Sequence, residues 1–320
     1  MSTSKSFPPS SGSVEVTLLD GGGFTTAEDA RLHQDGDRPP FYLYDWLFLI
    51  HHQSTGKKVL WDLGISNDRD LYTPFVLEYQ WGSCNPVGPR VELGEQLKSV
   101  YVHPNEIDSI IFSHAHWDHC RPSKGEFPHA KVKFGPGTGA YCQPGHVQNG
   151  KIVPNVQWDA RIFGDDYIKQ IEYEELQGPW VPWGPFERGM DYFGDGSFWI
   201  LDAPGHMVGN LAAAARLTNG HYVILASDCC HSKEILNGSK EMAIWKLPDG
   251  GTFCLHEDPS VAKDTIRRLR EASDDYGAHI AMSHDASWIQ EGNDKVLMSI
   301  LHPLFGSEGV ISRIKAGEQP

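Results

Sequence analysis

Seven consecutive residues, Ser113-His114-Ala115-His116-Trp117-Asp118-His119, constrain this chain more than any other part of it. They follow the apolar run Ile110-Ile111-Phe112, which suits a short buried strand. Imidazole and carboxylate are donors that a first-row divalent metal takes readily. In extended backbone, side chains two residues apart face the same way, so His114 and His116 would aim at one point. Asp118 and His119 come after the chain turns and would reach a second point close by. The spacing therefore predicts one metal site or two adjacent ones. The chain has 16 histidines, and a lone one outside such a context would say little.

Three further apolar runs each end in a candidate donor. Phe198–Asp202 leads through Ala203-Pro204-Gly205 to His206, Tyr222–Ser227 leads to Asp228, and His279–Ser283 leads to His284. Upstream, Lys58-Val59-Leu60-Trp61-Asp62-Leu63-Gly64 has the form of a strand ending in Asp-x-Gly. With these motifs, over about residues 13–290, the chain resembles the metallo-β-lactamase-fold hydrolase superfamily, and in particular its N-acyl homoserine lactonase-like branch. The resemblance implies an α/β fold: an αββα four-layer sandwich of two mixed β-sheets flanked by helices. It implies that His114, His116 and His206 hold one metal, that Asp118, His119 and His284 hold a second, and that Asp228 bridges them. Two zinc ions are implied, and the same donors accept Mn2+, Co2+ or Fe2+. The implied reaction is attack of a metal-bridging hydroxide on a carbonyl, with Asp118 passing a proton to the leaving group. Asp62 would orient a ligand histidine from behind.

Two positions depart from the lactonase pattern. Those lactonases usually carry a tyrosine three residues after the bridging aspartate, where this chain has His231. After Gly205-His206 comes Met207 in place of Thr or Ser. His231 would replace the tyrosine as a hydrogen-bond donor near the scissile carbonyl, or else lie on the surface. A donor of different length suggests a substrate other than an acyl homoserine lactone. The expected activity is a zinc-dependent hydrolase that opens a cyclic ester or amide of a small, aromatic or apolar molecule. A thioesterase of the glyoxalase II or polyketide-releasing type is the alternative, although the expected pocket loops carry few Lys or Arg. Iron-dependent oxygen chemistry on this scaffold and a non-catalytic metal-binding protein are further readings. The latter would be marked by lost ligands, and none is lost.

At 320 residues the chain would suit one large domain or two small ones, but donors spread from His114 to His284 must converge in one folded unit. Residues 13–320 are expected to form that domain, after a disordered tail over 1–12. A formal net charge of −15 argues against nucleic acid and against an anionic membrane surface. Six scattered cysteines, none in a Cys-x-x-Cys pair, and an N-terminus lacking an apolar core predict free thiols in a cytoplasmic protein. The expected partner is a small-molecule substrate, and a homodimer is left open.

Apolar patterning places strands at 14–19, 41–51 and 58–62, and a helix at 94–100. The Asn219-Gly220 turn joins strands 211–217 and 222–226, and a helix runs over 259–272 with Asp258 as its cap. Two stretches, near 65–93 and 147–195, are rich in Pro, Gly and aromatics and look like inserted loops. Tyr72 from the first, and Trp180, Trp183 and Phe186 from the second, are the expected apolar wall of a substrate pocket.

Overall fold

The computed structural model describes residues 5–25, 28–248, 250–306 and 309–318. Alternating apolar side chains build two sheets whose inner faces meet. In the first sheet Glu15–Thr25 (β1), Tyr42–His52 (β2), Lys57–Trp61 (β3), Ser109–Ile111 (β4), Lys131–Phe134 (β5) and Tyr173–Glu175 (β6) lie side by side in chain order. The pairs β1/β2 and β2/β3 are antiparallel, and the rest are parallel. In the second sheet Val181–Trp183 (β7), Phe186–Asp191 (β8), Phe198–Asp202 (β9), Leu211–Arg216 (β10), Tyr222–Ser227 (β11) and His279–Met282 (β12) follow one another to the opposite edge. Only its β11/β12 pair is parallel.

The period of two along each strand divides the apolar residues among three layers. Tyr44, Trp46, Phe48 and Trp61 face Phe198, Ile200, Val223 and Leu225 across the gap between the sheets. The alternate residues Leu47, Leu49, Leu60 and Ile110 face outward and are covered by Leu93 and Leu97 of helix α1 (Leu93–Ser99). Leu201, Ala212, Ala214 and Ile224 are covered by Ala262, Ile266 and Leu269 of helix α2 (Pro259–Asp274). Asp258 caps α2 as expected, accepting the N–H groups of Ser260 and Val261. The result is an αββα sandwich of two mixed sheets. Among the described residues, no helix is long and apolar enough to cross a membrane.

Backbone hydrogen bonds couple the sheets at one end. The N–H of Leu211 donates to the carbonyl of Ser113 at 2.8 Å, and the N–H of Trp46 donates to the carbonyl of Ser283 at 2.9 Å. Gly205 shows how tightly this end is packed. Its φ is +122°, and an added Cβ would lie 2.3 Å from the backbone nitrogen of Ala262 in α2. Only glycine lets α2 come that near the turn carrying His206.

Two expectations are corrected here. The N-terminal segment is seated from residue 5 onward, while residues 1–4 lie outside the described residues. Lys5 pairs with Glu271 at 2.8 Å, and the ring of Phe7 stacks on Trp183 at 4.1 Å with Tyr222 and Tyr276 each 4.9 Å away. An aromatic ring that finds three others to cover it outweighs the entropy of a Pro- and Ser-rich tail. The stretch 147–195 is also no mere loop, because it supplies β6 to one sheet and the β7–β8 hairpin to the other. Trp183 and Phe186 pair across that hairpin and are 0% and 1% exposed. Their bulk belongs to the core. Trp183→Ala should therefore cost about 3–5 kcal/mol of stability, and Phe7→Ala about 1–2 kcal/mol. Denaturant unfolding followed by circular dichroism would measure both, and an unchanged midpoint for Trp183→Ala would contradict the packing.

Candidate metal centre

Each donor of the centre stands just past a strand, where backbone hydrogen bonding holds it. Ser113–His119 follows β4, His206 follows β9, Asp228 follows β11 and His284 follows β12. Two donor groups result. His114, His116, His206 and Asp228 form one, and Asp118, His119, Asp228 and His284 form the other, with the donor atoms of each group within 4.8 Å of one another. Asp228 belongs to both. Its Oδ2 lies 3.4 Å from His206 Nε2 and 3.8 Å from His114 Nε2, while its Oδ1 lies 3.1 Å from both His119 Nε2 and His284 Nε2.

These residues suit divalent metals by a direct test. The Nε2 atoms of His114, His119 and His284 and Oδ1 of Asp228 are buried without a hydrogen-bond partner. Buried polar atoms are almost always paired, so four converging orphans fit the coordination of a divalent cation. The electrostatics agree. Burial opposes charging His119, but the carboxylates of Asp228, Asp118 and Asp62 outweigh it and hold its pKa well above the ordinary imidazole value. Burial likewise opposes charge on His284, whose pKa the carboxylates of Asp228, Asp118 and Asp45 raise to about 9. In the other group, burial and neighbouring imidazoles push His114 and His206 well down, leaving neutral ligands. Neither Cys120 nor Cys229, each adjacent to a donor, is part of either group. All six cysteines are free.

The atoms behind the donors fix their directions. Asp62 Oδ2 accepts from His119 Nδ1 at 3.0 Å and from Ser113 Oγ at 2.8 Å, and Asp62 Oδ1 accepts the N–H of Ser113 at 2.7 Å. Ser113 Oγ in turn lies 3.0 Å from His114 Nδ1. One carboxylate thus orients a donor in each group, a wider role than the single histidine expected. His284 Nδ1 donates to the carbonyl of Tyr44 at 2.7 Å. These contacts commit Nδ1 of His119 and His284 and leave Nε2 for a metal.

His231 faces inward. It is buried, its Nε2 is 3.3 Å from Asp228 Oδ2, and its ring lies parallel to that of His284 at 5.8 Å. The expected apolar wall is elsewhere. Trp183 and Phe186 are in the core, and Trp180 packs against the inter-sheet core with the Arg188 guanidinium 5.1 Å from its ring. Trp183 on β7 lies four strand positions from β11, about 19 Å at ordinary strand spacing, and Phe186 on β8 lies three. Tyr72 does approach the centre, packing 6.2 Å from Trp117 while its hydroxyl accepts the N–H of Ser66.

The aromatic surface beside the donors comes from residues outside the expected wall, although Trp81 and Trp158 belong to the two aromatic-rich stretches. Trp117 contacts Phe24, Tyr72 and Trp81, and Phe24 lies 5.2 Å from His284. Across the centre, Trp158 lies parallel to His116 at 6.0 Å. Trp117 stands inside the metal motif and Trp158 inside the aromatic-rich stretch 147–195, so both could have been read from the sequence, but Phe24 carries no such signal. Buried His256 was also missed. Its ring is 5.2 Å from His206 and 5.0 Å from His231.

A profile of the metallo-β-lactamase superfamily matches residues 46–122, which hold Asp62 and the His114–His119 motif. An N-acyl homoserine lactone hydrolase, solved with N-hexanoyl-L-homoserine at its catalytic metal centre, superposes with a TM-score of 0.63 at 17% identity, over 87% of this chain and 96% of that one. This chain belongs to the metallo-β-lactamase superfamily. Another relative within reach is cytochrome P450 monooxygenase mpaDE' of Penicillium brevicompactum, 30% identical over 88% of this metallo-β-lactamase chain. The match spans about a third of that protein's length, 34%. The metallo-hydrolase mfmC of Annulohypoxylon moriforme is 27% identical, with 88% of this chain and 80% of that protein covered.

Saturated with Zn2+ and freed of excess, the purified protein should retain close to two ions per chain by elemental analysis, as two donor groups require. Asp228→Ala should lower both affinities, since it removes a donor from each. One ion per chain at saturation, or loss of only one in the variant, would contradict the shared carboxylate.

Proposed function

We propose that this chain is a metal-dependent hydrolase that opens a cyclic ester or amide of a small, ring-bearing or apolar molecule. The observation that carries the reading is Asp228, placed between two donor groups with the His231 imidazole 3.3 Å from its Oδ2. Divalent ions bound there, zinc foremost, would supply Lewis acidity toward a carbonyl and a water of lowered pKa. The chain's own residues supply the rest. Asp118 is 5% exposed and its Oδ2 is 3.5 Å from His284 Nε2, so it can hold a proton beside the centre and pass it to a leaving oxygen or nitrogen. His231 Nε2–H is a donor for the oxygen on which charge gathers as the carbonyl is attacked. Phe24, Trp81 and Trp117 on one side and Trp158 on the other would hold a flat, apolar body and keep water from it.

Two comparisons support hydrolysis of this kind: the likeness in fold to an enzyme that opens a lactone, and the similarity along most of the chain to a metallo-hydrolase. An imidazole in place of the lactonase tyrosine supports a substrate different from an acyl homoserine lactone. A screen of the zinc-loaded protein against aryl-fused lactones, lactams and thioesters would test the reading, and preferred turnover of thioesters would overturn it. On the preferred substrate, Asp118→Asn should lower kcat by about two to four orders of magnitude. His231→Ala should lower kcat more than it raises KM, because a donor to developing charge acts mainly in the transition state. Trp117→Ala should chiefly raise KM. An equal loss of kcat and kcat/KM in Trp117→Ala would place that ring nearer the reacting atoms than proposed.

A further inference from the structure

The chain buries a carboxylate that the centre described so far does not use. Asp45 lies in β2, is 0% exposed, and has no hydrogen-bond partner on either carboxylate oxygen. Among the described residues no other carboxylate has both oxygens buried and without a partner. An ionised carboxylate so placed is strongly disfavoured unless positive charge lies near it. Its position would suit an apolar residue. Tyr44, Trp46 and Phe48 take the inter-sheet face of β2, while Leu43, Leu47 and Leu49 alternate with them on the other side, where Asp45 falls.

The strand on both sides of Asp45 is tied to the His284 turn. The Tyr44 carbonyl accepts His284 Nδ1–H, and the Trp46 N–H donates to the carbonyl of Ser283. The groups whose charges act on Asp45 most strongly are His119, His284, Asp118 and Asp228, which together are the whole second donor group. Asp45 is not itself part of that group. Its carboxylate in turn favours the charged form of His284, the residue whose Nδ1 is tied to the same strand.

We propose that Asp45 is a positioning residue for the second metal: a fixed countercharge that strengthens cation binding by Asp118, His119, Asp228 and His284 without being a ligand. The inference rests on the two-metal reading above. A divalent cation in the second group offsets the cost of burying the acid, and the acid in turn raises the affinity of that group over the first. With Asp45, the carboxylates around the two cations become four, since Asp62, Asp118 and Asp228 are already in place.

The test uses Asp45→Asn, which keeps the shape, and Asp45→Leu, which matches the flanking leucines. Zn2+ affinities of the two sites would be resolved by competition with a chromophoric chelator. Co2+ loading would be followed by its visible absorption, and melting temperatures measured for metal-free and fully loaded protein. In both variants the first ion should bind as in the wild type and the second about 10- to 100-fold more weakly. The melting temperature should rise in the metal-free form and fall in the loaded form. A residue needed only for packing would lower both. Wild-type affinity at the second site, or a shift of the same sign in both forms, would overturn the role of Asp45 and leave the two-metal centre standing. If the wild type itself bound a single ion, the two-metal reading would fall and take this proposal with it.

Discussion

Everything in this molecule depends on holding two sheets in register at one end. Donors from β4, β9, β11 and β12 must meet within a few ångström, and they come from different sheets. Side-chain packing between sheets is tolerant of small slips, but backbone hydrogen bonds are not. The bonds from Leu211 to Ser113 and from Trp46 to Ser283, with the His284 imidazole on the Tyr44 carbonyl, join the sheets beside the donors. A shift of either sheet would break these bonds and scatter the ligands together, which makes the centre part of the fold's own framework.

Strain and buried charge gather at the same end. Asp62 and Ser227 adopt left-handed φ values of 65° and 44°, a conformation that costs about 1 kcal/mol or more for residues with a Cβ. Asp62 is held there by Ser113 and His119. Ser227 is held through its hydroxyl, which accepts from the Trp61 indole at 2.8 Å. The strained turn after β11 aims Asp228 between its two sets of partners. Carboxylates and imidazoles concentrated in a dry site repel within each kind and attract between kinds. The arrangement is stable where cations complete it.

The aromatic residues divide between two tasks that composition cannot separate. Trp183, Phe186 and Phe7 fill the far edge of the second sheet, while Phe24, Trp81, Trp117 and Trp158 crowd the donors. Apart from Trp117, both sets come from Pro- or Gly-rich sequence. Trp183 is drawn inward because Val181–Trp183 pairs with Phe186–Asp191 and extends a sheet whose face is already apolar. A loop that gains backbone pairing in this way becomes scaffold, and its large side chains go with it.

The sequence by itself picked out the residues of both donor groups and most of the sandwich. His-x-His-x-Asp-His has a spacing that few other structural demands produce, and His206, Asp228 and His284 each follow an apolar run long enough to be recognised as a strand. Short apolar runs likewise marked β2, β3, β10 and β11, and Asp258-Pro259 marked the start of α2. Only the tertiary structure decided which aromatics face the centre, that His231 and His256 turn inward, that the N-terminal segment is seated, and that Asp45 lies beside the second donor group. These facts depend on contacts between residues far apart in the chain. Local pattern carries the preference of a residue for a strand or helix, but the identity of its neighbours is set by how the layers close on one another.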